Sequence, residues 1–359
     1  MQMKSLEPRR FADLPGWAEA DHDAAFAAFV RSSERFLAGA VKTGSLGIEA
    51  GAFRVAAEAA LRHQNDPGGF FETYFSPAYV RPDPGANGFV TGYYEPVVGA
   101  SSVRTDRHRV PLHRPPPDLV KVGPERPVDL DPDYAFARRL ADGRVTEYFD
   151  RAAIARGVLD GQGLEIAWLE DPVDAFFIHV QGSARLELED GRRIRVTYAG
   201  KTGHRFTAIG RILVSEGELV LEKADMAGIR RWLADHPERV QDLLDRNRSY
   251  IFFNEVPVPD EALGPVAAAG VPITALASLA VDRLIHTFGT PIFLDAPLLT
   301  IADAPFRRLL IAQDTGSAIV GTTRGDIFVG SDDAAGAVAG TIRHPADFYV
   351  LLPKGQAPE

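Results

Sequence analysis

Two aspartates at the ends of apolar runs are the residues of this chain best placed to move protons. Asp314 closes the run Leu309-Leu310-Ile311-Ala312 and precedes Thr315-Gly316, whereas Asp326 follows Gly325 and leads into Ile327-Phe328-Val329-Gly330. Short apolar runs bounded by turn residues read as buried strands. A strand end can hold a carboxylate rigidly at a cleft, where it serves as a general acid or base. On residues alone, Asp326 reads first as a Gly-Asp turn at a strand start and only second as a catalytic group. A third aspartate, Asp282 in Ala280-Val281-Asp282-Arg283, sits in an apolar context and reads as a structural ion pair or turn cap.

Other residue types suit a sugar ligand. Gly88 to Val98 reads as a strand carrying the paired Tyr93 and Tyr94 and the carboxylate of Glu95. Aromatic faces stack on sugar rings and carboxylates accept hydroxyl hydrogens; the plainer alternative is tyrosine tips at a sheet rim beside a solvated glutamate. Gln181-Gly182-Ser183 offers an amide and a hydroxyl where backbone can approach a ligand, or else a tight turn. Gly200-Lys201-Thr202-Gly203-His204 lacks the G-x-x-x-x-G-K-[ST] frame, so no nucleotide is expected, though Lys201 can hold a substrate oxygen. His179, between Ile178 and Val180, reads as a sheet-facing structural histidine, and without an HExxH-like pair no metal is expected.

The elements that must position these groups follow from periodicity. Asp21 to Leu37 and Phe53 to Leu61 predict core-packing helices, the second stopped by Asn65-Asp66-Pro67-Gly68-Gly69. Phe70 to Phe75 is aromatic and reads as core rather than as a ligand platform. Ser101 to Pro117, basic and then Pro-rich, reads as a solvated connection leaving one domain. Thr146 to Gly157 predicts a short helix capped by Thr146. Ala175 to Val180, Ala184 to Leu188 and Ile194 to Tyr198 predict strands, with a hairpin turn at Glu189-Asp190-Gly191. Ala224 to Asn247 predicts a helix broken at Pro237, and Tyr250 to Phe253 a return to β-structure.

The global numbers exclude several classes. The 359 residues favour two domains, and 33 Gly with 26 Pro point to many turns and a β-rich chain. A net charge of −10 argues against a broad nucleic-acid or anionic-membrane surface. With no cysteine there is no disulfide, no thiolate metal site and no thiol for a lipid anchor. Met1 to Arg10 is polar and no apolar stretch reaches about 18 residues, so neither a signal peptide nor an anchor is expected in the chain as given.

Several segments taken in order carry a family resemblance: Thr91-Gly92-Tyr93-Tyr94-Glu95-Pro96; Asp171-Pro172-Val173-Asp174 with Val180-Gln181-Gly182-Ser183; Tyr198-Ala199-Gly200 with Gly203-His204; and Tyr250-Ile251-Phe252-Phe253. With Asp282, Asp314 and Asp326 they resemble the membrane-bound lytic murein transglycosylase A family, whose C-terminal "3D" domain is named for three aspartates. The resemblance runs from about Phe70 to Leu352. It implies a mainly β chain with flanking helices (α+β). Residues 1–98 and 248–359 would form a double-psi β-barrel catalytic domain, with the 3D motif over about 271–345. Residues 99–247 would form a smaller inserted β-domain, with glycan in the groove between. The activity implied is non-hydrolytic cleavage of the β-1,4 bond between N-acetylmuramic acid and N-acetylglucosamine of peptidoglycan, leaving 1,6-anhydro-muramoyl ends. By motif position Asp326 is the acid/base, supported by Asp314 and Asp282. Tyr93, Tyr94, Glu95, Gln181, Gly182, Ser183, Tyr198, Lys201 and His204 are expected at the glycan. No cofactor is implied. Peptidoglycan strands are the expected partner, with cell-wall synthesis or division proteins as further candidates and no nucleic acid. The expected location is the periplasm of a Gram-negative bacterium, in association with the outer membrane. Two other readings compete. An aspartic-type protease would use Asp314-Thr315-Gly316-Ser317, but needs a second Asp-Thr-Gly that the chain lacks. A noncatalytic glycan-binding protein would bind without cleaving.

Overall fold

Helix Asp23–Leu37 turns Ala25, Ala28, Phe29, Ser32, Ser33 and Phe36 inward, a stripe at helical spacing that must be covered. It is covered by an aromatic cluster: Phe36 stacks on Phe53 at 4.4 Å, and Phe29 meets Phe75 edge-on at 5.6 Å. Phe29, Phe53, Phe71 and Phe75 are fully buried, each contributing about 1.5–3 kcal/mol of apolar burial. Phe70 to Phe75 is thus core, as expected. It enters as helix Pro67–Tyr74, started by the Asp66 side chain, which accepts from Gly69 N at 2.9 Å, and continues as strand Phe75–Val80.

The computed structural model describes residues 6–62, 65–123, 130–131, 134–258 and 260–356, in a chain that is mostly β with some helices. Those residues group into two compact units, Met1–Tyr94 with Asp260–Glu359, and Glu95–Pro259. In the first, a nine-stranded sheet runs in the order Leu6–Pro8, Phe75–Val80, Asp347–Pro353, Pro291–Ile301, Ala304–Asp314, Ser278–Val281, Arg324–Ser331, Phe89–Glu95, Arg343–Pro345. Strand Ser278–Val281 pairs in parallel with Ala304–Asp314 and antiparallel with Arg324–Ser331, setting Ala280 opposite both Asp314 and Asp326. Buried Gln313 anchors this region. Its Nε2 donates to Ala28 O at 2.8 Å and Ser32 Oγ at 2.9 Å, and its Oε1 accepts from Ser278 Oγ at 2.6 Å. Both amide protons and the amide oxygen are engaged, tying the helix to the strand that ends at Asp314.

The second unit is built on the four-stranded sheet Ile251–Val256, Arg193–Lys201, Ser183–Leu188, Val97–Ala100. The hairpin turn at 189–191 forms as expected, with Gly191 N donating to Leu188 O at 2.9 Å.

Three sequence expectations are overturned here. Ala175 to Val180 is not a strand: it belongs to helix Pro172–Gln181, because Asp171 caps Val173 N at 2.7 Å, Pro172 pre-sets the first turn and Gly182 closes it at φ +80°. His179 is therefore buried on a helix, where its Nδ1 accepts from Arg151 Nη1 at 3.0 Å. The helix expected from Thr146 begins instead at Arg151, with Asp150 as its cap on Ala153 N at 3.0 Å, and Val145–Thr146 is a short strand. Ser101 to Pro117 is not simply a solvated connection: Val110–His113 pairs with Glu165–Leu169 and carries His113 into the interior.

Candidate active site

Strands alternate their faces, so Thr91 and Tyr93 of Phe89–Glu95 project the same way. Each holds one of the two aspartates. Thr91 Oγ1 donates to Asp326 Oδ1 at 2.5 Å, and Tyr93 Oη donates to Asp314 Oδ2 at 2.9 Å. Asp314 Oδ1 also accepts from Thr315 N at 2.8 Å and Ala268 N at 3.2 Å. Among the described residues Asp326 accepts only from Thr91, on Oδ1. Gly325 lets the strand lie close: a Cβ there would meet Leu279 Cδ1 at 2.9 Å.

The electrostatics separate the pair further. Burial pushes the Asp326 carboxyl up to about 6, with a smaller upward push from Asp314; the Thr91 hydrogen bond and the Arg324 charge oppose it. Burial also raises Asp314, against its three hydrogen bonds, and raises the Tyr93 hydroxyl. Asp282 lies apart in role. Its Oδ1 accepts from Leu284 N at 3.0 Å and its Oδ2 from Gly321 N at 3.1 Å. It is thus the turn cap that the residues suggested.

The expected glycan contacts divide. Tyr94 is only 4% exposed, and a Cβ on Gly336 would lie 2.7 Å from its ring, so it packs beneath helix Asp333–Thr341. Glu95 is no solvated groove carboxylate. At 0% exposure, its Oε1 accepts from Arg195 Nε at 2.5 Å, and its Oε2 from Arg195 Nη2 at 3.0 Å and Arg185 Nε at 2.8 Å. His204 is likewise internal, with Nδ1 against Tyr134 Oη at 2.7 Å and Nε2 against Tyr148 O at 2.8 Å. Ser183 is buried in the pairing with Thr197, and Gly182 is the helix cap whose carbonyl accepts from Tyr198 N at 2.8 Å. Of the set, Tyr198 is the most open at 47% exposure, with Gln181 and Lys201 partly exposed. Two residues of the centre, Thr91 and Arg324, were not among the sequence candidates. No local pattern joins Thr91 to Asp326, which lies 235 positions away, and Arg324, although in the same strand as Asp326, acts through its hydrogen bond to Thr91.

Residues 89–254 match the family model described as the MltA specific insert domain, and residues 277–352 the one described as the 3D domain. A crystal structure of a membrane-bound lytic murein transglycosylase from Agrobacterium tumefaciens matches with a TM-score of 0.90 at 47% identity, over 98% of either chain. The chain belongs to the membrane-bound lytic murein transglycosylase A family. All three aspartates fall inside the span matched by the 3D model. The family's Vibrio cholerae member is 38% identical over 200 residues, 54% of this chain and 53% of that protein, so the match spans about half that relative's length. A family structure titled Escherichia coli MltA with bound chitohexaose matches with a TM-score of 0.68 at 26% identity, over 97% of this chain and 91% of that one.

The geometry of the pair predicts a pH effect. Asp314→Asn removes the like charge that helps hold Asp326 up, so any activity that needs protonated Asp326 should lose its alkaline limb at lower pH than in the wild-type chain. A pH–rate profile of the variant checks this; an unmoved limb would show that Asp314 does not tune Asp326.

Proposed function

We propose that this chain is a lytic transglycosylase that cleaves the β-1,4 bond between N-acetylmuramic acid and N-acetylglucosamine of peptidoglycan without water, forming 1,6-anhydro-N-acetylmuramic acid ends. The observation that carries this reading is a single carboxyl, Asp326, raised to about 6 and engaged on one oxygen only, beside a second aspartate whose acceptors are taken by three donors. A hydrolase needs a second carboxylate as nucleophile or to activate water. Here the muramoyl C6 hydroxyl serves as the nucleophile, already tethered to its target carbon. Asp326 gives its proton to the glycosidic oxygen as the C1–O bond breaks, then takes the proton of the C6 hydroxyl as the O6–C1 bond forms. A value near 6 suits a group that must be acid in one half-reaction and base in the next.

Asp314 supports Asp326 by its charge and Asp282 by holding the turn at Gly321. Of the sugar-contacting candidates, Tyr198 is exposed and Tyr93, Gln181, Gly182 and Lys201 are part-exposed. The same reading takes the nine-stranded sheet as the family's double-psi β-barrel, supported by the parallel pairing of Ser278–Val281 among antiparallel neighbours. It also puts the chain in the Gram-negative envelope facing the periplasm, supported by relatives named as membrane-bound. Among the described residues, no helix is long and apolar enough to cross a membrane.

Incubation with murein sacculi followed by mass analysis tests the reading. Anhydro-muropeptides are the expected product. Muropeptides with reducing ends would make the protein a hydrolase, cleaved stem peptides a protease, and binding without product a glycan-binding module.

A further inference from the structure

Thr91 has one proton to give and two neighbours to satisfy. Arg324 Nη2 donates to Thr91 Oγ1 at 2.7 Å, and because a guanidinium only donates, that contact takes a lone pair of the hydroxyl. The hydroxyl hydrogen is then left for Asp326 Oδ1, 2.5 Å away. A proton on Oδ1 would instead leave the Thr91 hydrogen with no acceptor among the described residues. Arg324 is itself fixed: its Nη1 donates to Gly325 O, and its guanidinium lies over the Phe89 ring at 5.7 Å. Asp326 Oδ2 has no hydrogen-bond partner among the described residues.

We propose that Arg324 and Thr91 are positioning residues that reserve Asp326 Oδ1 as a permanent acceptor, leaving Oδ2 as the single oxygen that gives and takes back the catalytic proton. The proposal rests on the transglycosylase reading above. In the first half-reaction, the Oδ2 proton passes to the glycosidic oxygen as that oxygen leaves C1, and the new carboxylate stays pinned through Oδ1. In the second, Oδ2 accepts the C6 hydroxyl proton as O6 bonds to C1, restoring the acid. Atoms and charge balance with no other reactant. One oxygen doing both steps requires that the carboxyl not rotate between them, and the Arg324–Thr91–Oδ1 chain is what prevents it. The same chain keeps the carboxylate accessible in a buried setting, since both the hydrogen bond and the guanidinium favour the charged form.

The test compares Thr91→Val, Thr91→Ser and Arg324→Gln with the wild-type chain. The readouts are the pH profile of anhydro-muropeptide release and the 13C titration of the Asp326 carboxyl, assigned by its loss in Asp326→Asn. Thr91→Val should move both the alkaline limb and the carboxyl titration about one pH unit higher, a tenfold change in the ionisation constant. It should lower kcat with KM little changed. Arg324→Gln should move both in the same direction, and Thr91→Ser should restore the wild-type values. A merely structural role would lower activity without moving the limb, and an unmoved carboxyl titration in Thr91→Val overturns the proposal, as does failure of Thr91→Ser to restore it. If the wild-type chain releases no anhydro product, the transglycosylase reading fails, while the carboxyl titration still decides what Thr91 and Arg324 do to Asp326.

Discussion

Asp326→Asn should release no anhydro-muropeptide from sacculi, yet melt at a higher temperature than the wild-type chain at pH 8. The loss of turnover follows from the two roles resting on one carboxyl. General acid–base catalysis contributes about 10²–10⁴-fold per group, and the same group is proposed to act in both half-reactions, so a fall of at least about 10⁴-fold is expected. Asparagine keeps the size and still accepts from Thr91, so the strand should hold. The gain in stability follows from the sign of the ionisation. The folded chain holds the Asp326 proton until about 6, against an ordinary value of 3.8. Between those values the unfolded chain ionises first, so wild-type stability is lost as pH rises through that window and stays lost above it. Asparagine has no such loss. The difference in melting temperature should therefore be small at pH 4, grow towards pH 6 and level off. A difference that does not change with pH would mean that burial does not strain Asp326, and near-normal turnover would remove it from the mechanism.

The second large effect is on the fold. Glu95→Ala should destabilise the unit Glu95–Pro259 by about 3–5 kcal/mol. Glu95 is fully buried, and the side chains of Arg195 and Arg185 are 4% and 12% exposed. Truncating the acid removes a buried carboxylate to which both desolvated guanidinia donate, which costs far more than the pair contributes when intact. By contrast Glu58→Ala breaks an exposed i,i+4 pair with Arg54 and should change stability by less than about 0.5 kcal/mol. Thermal or urea unfolding of the two variants makes the comparison. Equal small shifts would show that the Glu95 cluster is solvated in solution. A sugar-affinity defect in Glu95→Ala should be read through this loss of structure.

What was legible in the sequence divides by range. Asp326 and Asp314 could be singled out because each sits beside turn residues at the edge of an apolar run, and Asp282 because it interrupts an apolar context, signals contained within a few positions. The helix at Pro172–Gln181 was also encoded locally, by Asp171-Pro172 before it and Gly182 after it, but its interior is apolar and aromatic on most sides. That composition masks the 3.6-residue period and imitates a buried strand. Thr91, Arg324 and the arginines on Glu95 were not legible, for a different reason. Their roles exist only after strands distant in the chain have paired: Thr91 meets Asp326 across 235 positions, and Arg195 meets Glu95 across 100. Residue type announces Glu95 as a polar surface group; only the fold reveals that two cations await it indoors.

The pairings of Phe75–Val80 with Asp347–Pro353 and of Phe89–Glu95 with Arg343–Pro345, in a sheet whose members begin at Leu6 and end at Pro353, also set an order of assembly. Pairings between such remote segments must meet the entropy of closing a very long loop before any contact compensates it, which makes them slow. The unit Glu95–Pro259 is one continuous stretch and can gain its core while the chain is still emerging from the ribosome. The Thr91–Asp326 contact cannot form until the last third of the chain exists. The Thr91–Asp326 centre is thus a late product of folding: a nascent or truncated chain carries the surfaces of Glu95–Pro259 without the proton transfer proposed for Asp326.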